Sequence, residues 1–270
     1  MFTHSIDPIA LQLGPLAIRW YGILMALAFL CGYFLFRKLA RERNISEKIS
    51  EEYFLWMIVS LIVGARLGHI LFYNLEFFLQ NPLEIFAVWH GGLASHGAMI
   101  LGVIATIVFC KKNNIQFYDL ADIIVIPIAL GAAFVRLGNF VNGELVGKIT
   151  TLPWAVKFQG YEGFRHPSQL YEAAKNVLLA RILYRMRLIT SLPKGFIFWS
   201  FIWIYAVMRF TVEMVKDMPL VGPYGIFTTA QWLSMVFFII SSAAIAYEYI
   251  IKGKYLKATA LTSVKKSKKR

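Results

Sequence analysis

Apolar residues in this chain fall in long unbroken runs rather than in alternation. Seven runs can be drawn, at roughly 17–36, 52–72, 93–109, 120–135, 169–184, 195–215 and 227–251. Each is close to the ~20 residues that carry a helix across a hydrocarbon core. Continuous runs predict helices, and the missing period-two alternation argues against a β-barrel. The connections differ sharply in charge. Most of the 28 Lys and Arg residues follow the first, third and fifth runs or lie in the C-terminal tail. The positive-inside rule then sets the N-terminus outside and the C-terminus in the cytoplasm. The expectation is an all-α polytopic membrane protein with about seven transmembrane helices. Residues 1–253 form a single domain with periplasmic loops at about 74–92, 136–168 and 216–226, and 254–270 form a basic cytoplasmic tail.

Composition agrees. Apolar residues make up 58% of the chain and charged residues 16%, against about 45–50% and 25% in soluble domains. A net charge of +13 would suggest nucleic acid in a soluble protein. In this topology it serves cytoplasmic loops and anionic membrane lipid instead, and no nucleic-acid partner is expected. Cys31 and Cys110 are the only cysteines; both fall in or at the end of apolar runs and read as packing residues. Residues 1–15 contain no Lys or Arg, whereas Arg37, Lys38, Arg41 and Arg43 follow the first run. This reverses a secretory signal, so the first run reads as an uncleaved span.

Against this background the polar residues in or beside the spans stand out. The fourth run ends in RLGNFVNGELVG (136–147), where the chain is expected to break at Gly138 and turn at Asn142-Gly143. Arg136 and Asn139 close that span. Arg66 and Arg209 lie deep in the second and sixth, with Glu213 one turn beyond Arg209 on the same face. Tyr21, His96, Glu172 and Lys175 open the first, third and fifth. With the topology above, nearly all of these lie in the outer third of the bilayer. Ionisable groups at such depth mark functional sites. Two or three guanidiniums there suit a phospholipid phosphate, which they bind as a planar fork at any working pH. Arg209 can pair with Glu213, contact a substrate, or do both. His96 lies in a glycine-rich stretch, WHGGLASHG (89–97), where backbone can approach a ligand closely. Its imidazole suits proton removal near neutrality. The five histidines show no metal-ligand spacing, and no metal is expected. In HPSQLYE (166–172), Pro167 and Ser168 start a helix, while His166, Gln169, Tyr171 and Glu172 exceed what capping needs.

These motifs, with WYG (20–22) and the Tyr205, Arg209, Glu213 spacing, resemble the bacterial phosphatidylglycerol–prolipoprotein diacylglyceryl transferase family from the first span to the seventh. The resemblance implies an inner-membrane enzyme with its active site facing the outer leaflet. It moves diacylglyceryl from phosphatidylglycerol to the lipobox cysteine of a prolipoprotein signal peptide and releases glycerol phosphate, with no cofactor. It makes Arg136 and Arg209 the essential arginines and His96 the catalytic histidine, with Tyr21 beside them. Asn139, Glu144, Gly147, Tyr205 and Glu213 match positions important for activity or lipid binding, and Asn142, His166 and Gln169 join the expected phosphatidylglycerol-binding set. The thiol proton has three candidate acceptors: His96, Tyr21, or solvent in the arginine field. Two departures are evident. Ala98 stands where many members have glycine, and Lys216 stands where many have arginine, keeping the charge but losing the fork. A small anion transporter, another headgroup transferase and a non-catalytic lipid-binding subunit are the rival readings.

Overall fold

The computed structural model describes residues 1–87, 91–221 and 225–251. The chain opens with strands β1 (Phe2–Thr3), β2 (Ile9–Leu13) and β3 (Leu16–Arg19), then helices α1 (Trp20–Glu42), α2 (Glu47–Tyr73) and the short α3 (Leu75–Gln80). A 3-10 turn over Pro82–Phe86 follows, then α4 (Ser95–Lys112) and α5 (Phe117–Val141). Strand β4 (Val156–Lys157) precedes α6 (Ser168–Met186) and α7 (Phe196–Glu213). Strands β5 (Leu220–Val221) and β6 (Phe227–Thr228) lead into α8 (Thr229–Ile245), which continues as a π-helical turn, Ala246–Ile251. Each apolar run overlaps one of the seven long helices among the described residues. Five of these, α1, α2, α5, α7 and α8, are long and apolar enough among the described residues to cross a membrane. The chain is therefore a multi-pass helical membrane protein. Helix α6 is less apolar because Glu172, Lys175, Arg181 and Arg185 lie along it. The expected tail at 254–270 lies outside the described residues.

The helices pack into two compact units, one of 1–32 with 125 onward and the other of 33–124. In the second unit, α2 and α4 cross at glycines. A Cβ on Gly97 would lie 2.6 Å from Gly68 Cα and closer still to the Gly64 carbonyl, so only hydrogen permits this approach. The glycine-rich stretch thus serves helix packing at Gly97, where the sequence suggested close approach of a ligand. Further along the same pair, Tyr53 and Thr106 share a buried hydrogen bond of 2.9 Å. Gly97→Val should force the helices apart and cost about 1–3 kcal/mol, as overpacking does. A thermal midpoint several degrees below wild type in detergent is the expected result.

In the first unit, β2 and β3 form a hairpin that runs directly into α1. Arg19 is therefore a strand residue ahead of the helix. Helix α5 does not break at Gly138 but continues to Val141. Gly138 is there because a Cβ would sit 2.6 Å from Cδ2 of Tyr21. The turn comes at Asn142-Gly143 as expected, with Gly143 at φ +68°. Strand β1 pairs in parallel with β4, tying the N-terminus to the 142–168 loop. Val146, Val156 and Phe158 form a small core there, against Phe140. This non-helical cap covers the C-terminal end of α5 and the start of α6.

Candidate active site

In the first unit the polar ends of α5, α6 and α7 converge on one carboxylate, Glu172, which is 1% exposed. Its Oε2 lies 3.1 Å from Lys175 Nζ and 3.9 Å from Arg136 Nε. Its Oε1 pairs with Arg209 Nη1 and lies 3.7 Å from Lys216 Nζ. A second buried carboxylate, Glu213, meets Arg209 at 2.7 Å and Lys216 at 3.7 Å. The Arg209–Glu213 pair expected from the sequence is thus present, but it is half of the arrangement. Thr228, the N-cap of α8, donates to Glu213 Oε1 at 3.0 Å, and its capping box with Gln231 fixes it in turn. Four cations share two carboxylates, leaving a surplus of two positive charges in a largely buried cluster. Such a surplus is costly unless an anion joins it.

Arg136 is the least committed of the four. Its ion pair is the longest, and among the described residues its guanidinium donates one hydrogen bond, to Asn139 Oδ1 at 3.1 Å. Asn139 donates in turn to Glu144 Oε1 at 2.8 Å, and Asn142 reaches the same oxygen at 3.3 Å. The 136–144 block is therefore a chain of hydrogen bonds that orients Arg136 and leaves donors of its fork available. Gln169 and Ser168 secure the loop by donating to the carbonyls of Glu144, at 2.6 Å, and Leu145, at 2.9 Å. The start of α6 is thereby fixed to the end of α5.

Gly147 sits where three backbone segments meet. Its N–H donates to His166 O, and the next residue, Lys148, donates to Val215 O. A Cβ there would lie 2.6 Å from His166 O and 2.7 Å from Val215 O. Its place is explained by packing, which brings the segment carrying Lys216 against the loop. Burial, and after it the Arg209 charge, push the Lys216 ammonium below the usual lysine value. His166 is half-buried and hydrogen-bonds Tyr171 Oη at 3.3 Å; burial lowers its pKa. Lys175 Nζ also stands 4.1 Å above the Tyr205 ring. The ring of Tyr21 lies on Gly138, two residues beyond Arg136.

Arg66 and His96 belong to the second unit. Arg66, read from the sequence among the phosphate-binding candidates, is committed elsewhere. Its Nε donates to Ile85 O at 3.1 Å, and Nη1 donates to Gly91 O at 2.5 Å and Gly92 O at 3.2 Å. Nη2 donates to the carbonyls of Glu84 and Ala87. All five N–H groups of a guanidinium are thus matched to backbone carbonyls, which leaves none for a phosphate. His96 is exposed near the start of α4 and lines a shallow cleft of about 240 Å³ with Phe72, Tyr73 and Ile100. Sequence reasoning singled out Glu172 and Lys175 by their depth, and Lys216 as a departure from the family's arginine, without giving any of them a site role of its own. Nothing in the sequence indicated that one carboxylate collects them.

A multi-pass membrane protein with surplus positive charge buried at its helix ends is the class these features define. The chain matches the prolipoprotein diacylglyceryl transferase family over residues 8–247. It belongs to that family. A phosphatidylglycerol–prolipoprotein diacylglyceryl transferase of Geobacter sulfurreducens is 39% identical over 88% of this chain and 94% of its own. One from Tolumonas auensis is 37% identical over 88% of this chain and 93% of its own. A Rhizobium leguminosarum relative of the same name is 36% identical over 86% of each.

Proposed function

We propose that this protein transfers the sn-1,2-diacylglyceryl group of phosphatidylglycerol to the lipobox cysteine of prolipoproteins. This is the first step of lipoprotein maturation. The observation that carries the reading is the two-charge surplus around Glu172 and Glu213. A phosphodiester brings one negative charge to the cluster. When the cysteine thiolate attacks the glycerol carbon bearing that phosphate, a C–S bond forms and the C–O bond breaks. The electron pair leaves on oxygen, and glycerol phosphate departs with a second charge developing. A cluster with two positive charges in excess favours the state in which that charge appears, as electrostatic catalysis requires. The names of the relatives favour transfer over transport or passive lipid binding.

In this reading Arg136 and Arg209 hold the phosphate, Lys175 and Lys216 add charge, and Glu172 with Glu213 keep the cations in place. Asn139, Asn142 and Glu144 aim Arg136. A thiol, with a reference pKa of about 8.5, must lose its proton to act. The candidate acceptors for that proton are His96, Tyr21 and solvent in the arginine field. The protein lies in the inner membrane with the site at its outer leaflet, where a signal-peptide cysteine meets phospholipid headgroups. Supplied with labelled phosphatidylglycerol and a lipobox peptide, the purified protein should yield a diacylglyceryl thioether and one glycerol phosphate per product. No thioether, or equal product from a peptide with Ser for Cys, would reject the assignment.

A further inference from the structure

The two lysines of the cluster are buried with donors to spare. Lys175 Nζ lies 3.1 Å from Glu172 Oε2, the one acceptor within its reach among the described residues. An ammonium carries three donors, so at least two of them are unmatched in a residue 7% exposed. Lys216 Nζ, 2% exposed, stands 3.7 Å from a Glu172 oxygen and from a Glu213 oxygen, beyond hydrogen-bond distance. Arg136 is the open side of the group, with 23% of its side chain exposed. Its Nε and Lys175 Nζ flank the same carboxylate oxygen, so an anion that reaches the Arg136 fork comes beside the Lys175 ammonium. We propose that the cluster holds a phosphomonoester dianion more tightly than the phosphodiester of its lipid substrate, and that Lys175 sets this preference, an inference that rests on the reading of these cations as the phosphate site. The class takes in the departing glycerol phosphate and any lipid that ends in a bare phosphate.

Charge decides the order of affinities. A phosphodiester brings one negative charge and leaves one of the two surplus positive charges unmatched. A phosphomonoester carries close to two charges at neutral pH and three strong acceptor oxygens, enough to cancel the surplus and to meet an ammonium as well as the arginine forks. Unmatched charge is costly at a buried site, so the second ligand charge gains more there than it does in water. Glu144, the next carboxylate, does not cancel the surplus. It is exposed, accepts from the amides of Asn139 and Asn142, and forms no ion pair among the described residues. A site of this kind retains its own leaving group. Glycerol phosphate then competes with phosphatidylglycerol for the same cations, and turnover slows as it accumulates.

Two soluble probes test the preference on the purified full-length protein in detergent: glycerol phosphate and its methyl ester, which share the glycerol group and differ by one charge. At neutral pH wild type should bind glycerol phosphate about tenfold tighter or more, the effect of one further hydrogen bond to a charged group. In the thioether assay, glycerol phosphate should raise the KM for phosphatidylglycerol and leave kcat unchanged. Lys175→Met keeps a stem of similar length and removes the charge. It should narrow the difference between the probes to about threefold or less, whereas loss of packing alone would weaken both probes alike. Thermal midpoints check folding, and Lys216→Met takes the place of a Lys175 variant that does not fold. Phosphatidic acid in mixed micelles separates the two sources of monoester. Inhibition by both compounds supports the proposal for lipid monoesters as well, and inhibition by glycerol phosphate alone supports it for the released product. Equal affinity for the two soluble probes, in wild type that makes thioether, overturns this inference and leaves the proposed function standing. An undiminished preference in folded Lys175→Met overturns the role of Lys175. Absence of thioether rejects the function and this inference with it.

Discussion

Glu172→Gln should be among the most damaging single changes in the protein, costing about 3–5 kcal/mol of stability together with activity. The side chain keeps its shape and loses its charge. Lys175, Arg209, Arg136 and Lys216 then share Glu213 alone, and only Arg209 and Lys216 lie within 4 Å of that carboxylate. The surplus rises from two positive charges to three. Truncating one partner of a buried pair leaves an unmatched charge, which costs far more than an exposed pair contributes. Thermal unfolding of the purified protein in detergent measures the effect directly. Added glycerol phosphate should raise the midpoint of wild type, because an anion bound to the folded state stabilises it by mass action. A midpoint for Glu172→Gln equal to wild type would show that these charges are not coupled in the folded protein.

Arg136→Ala should leave stability nearly intact and reduce kcat about 10²–10³-fold, the usual effect of removing one preorganised donor to a developing anion. The contrast with Glu172 follows from geometry. Arg136 is 3.9 Å from its nearest carboxylate and makes one hydrogen bond, to Asn139, so little folded-state structure depends on it. Arg136→Lys should recover only part of the rate, since a lysine keeps the charge without the planar fork. Product formation in the labelled-lipid assay, beside a thermal midpoint for each variant, separates the two effects. A variant that is inactive because it unfolds would contradict this account of Arg136.

Much of this was legible in the chain. The apolar runs located all seven long helices, because span length and continuity are composition-level properties. The 136–144 block announced itself, since an arginine and two asparagines at the end of an apolar run have no ordinary structural use. The turn at Asn142-Gly143 followed from local chemistry. What the sequence hid were relations between distant segments. Gly138 looked like a helix breaker until the Tyr21 ring was found against it. Gly97 looked like a ligand approach and is a helix crossing. Arg66 and Arg136 are alike in sequence terms, each an arginine on an apolar helix, yet one is occupied by five carbonyls and the other is almost uncommitted. Glu172 was noted as more than a helix start needs, but its role as the hub depends on α6 and α7 packing side by side. The hairpin before α1 was missed because its last strand reads as part of the first apolar run.

The central claim is that surplus positive charge holds a lipid phosphate. It is tested most directly by comparing binding of phosphatidylglycerol and uncharged diacylglycerol to the same purified protein in the same detergent. Wild type should prefer the charged lipid by about 100-fold or more, close to 3 kcal/mol, and Arg136→Ala should lose at least tenfold of that preference. Equal affinity for the two lipids in wild type, or an unchanged preference in the variant, would contradict it.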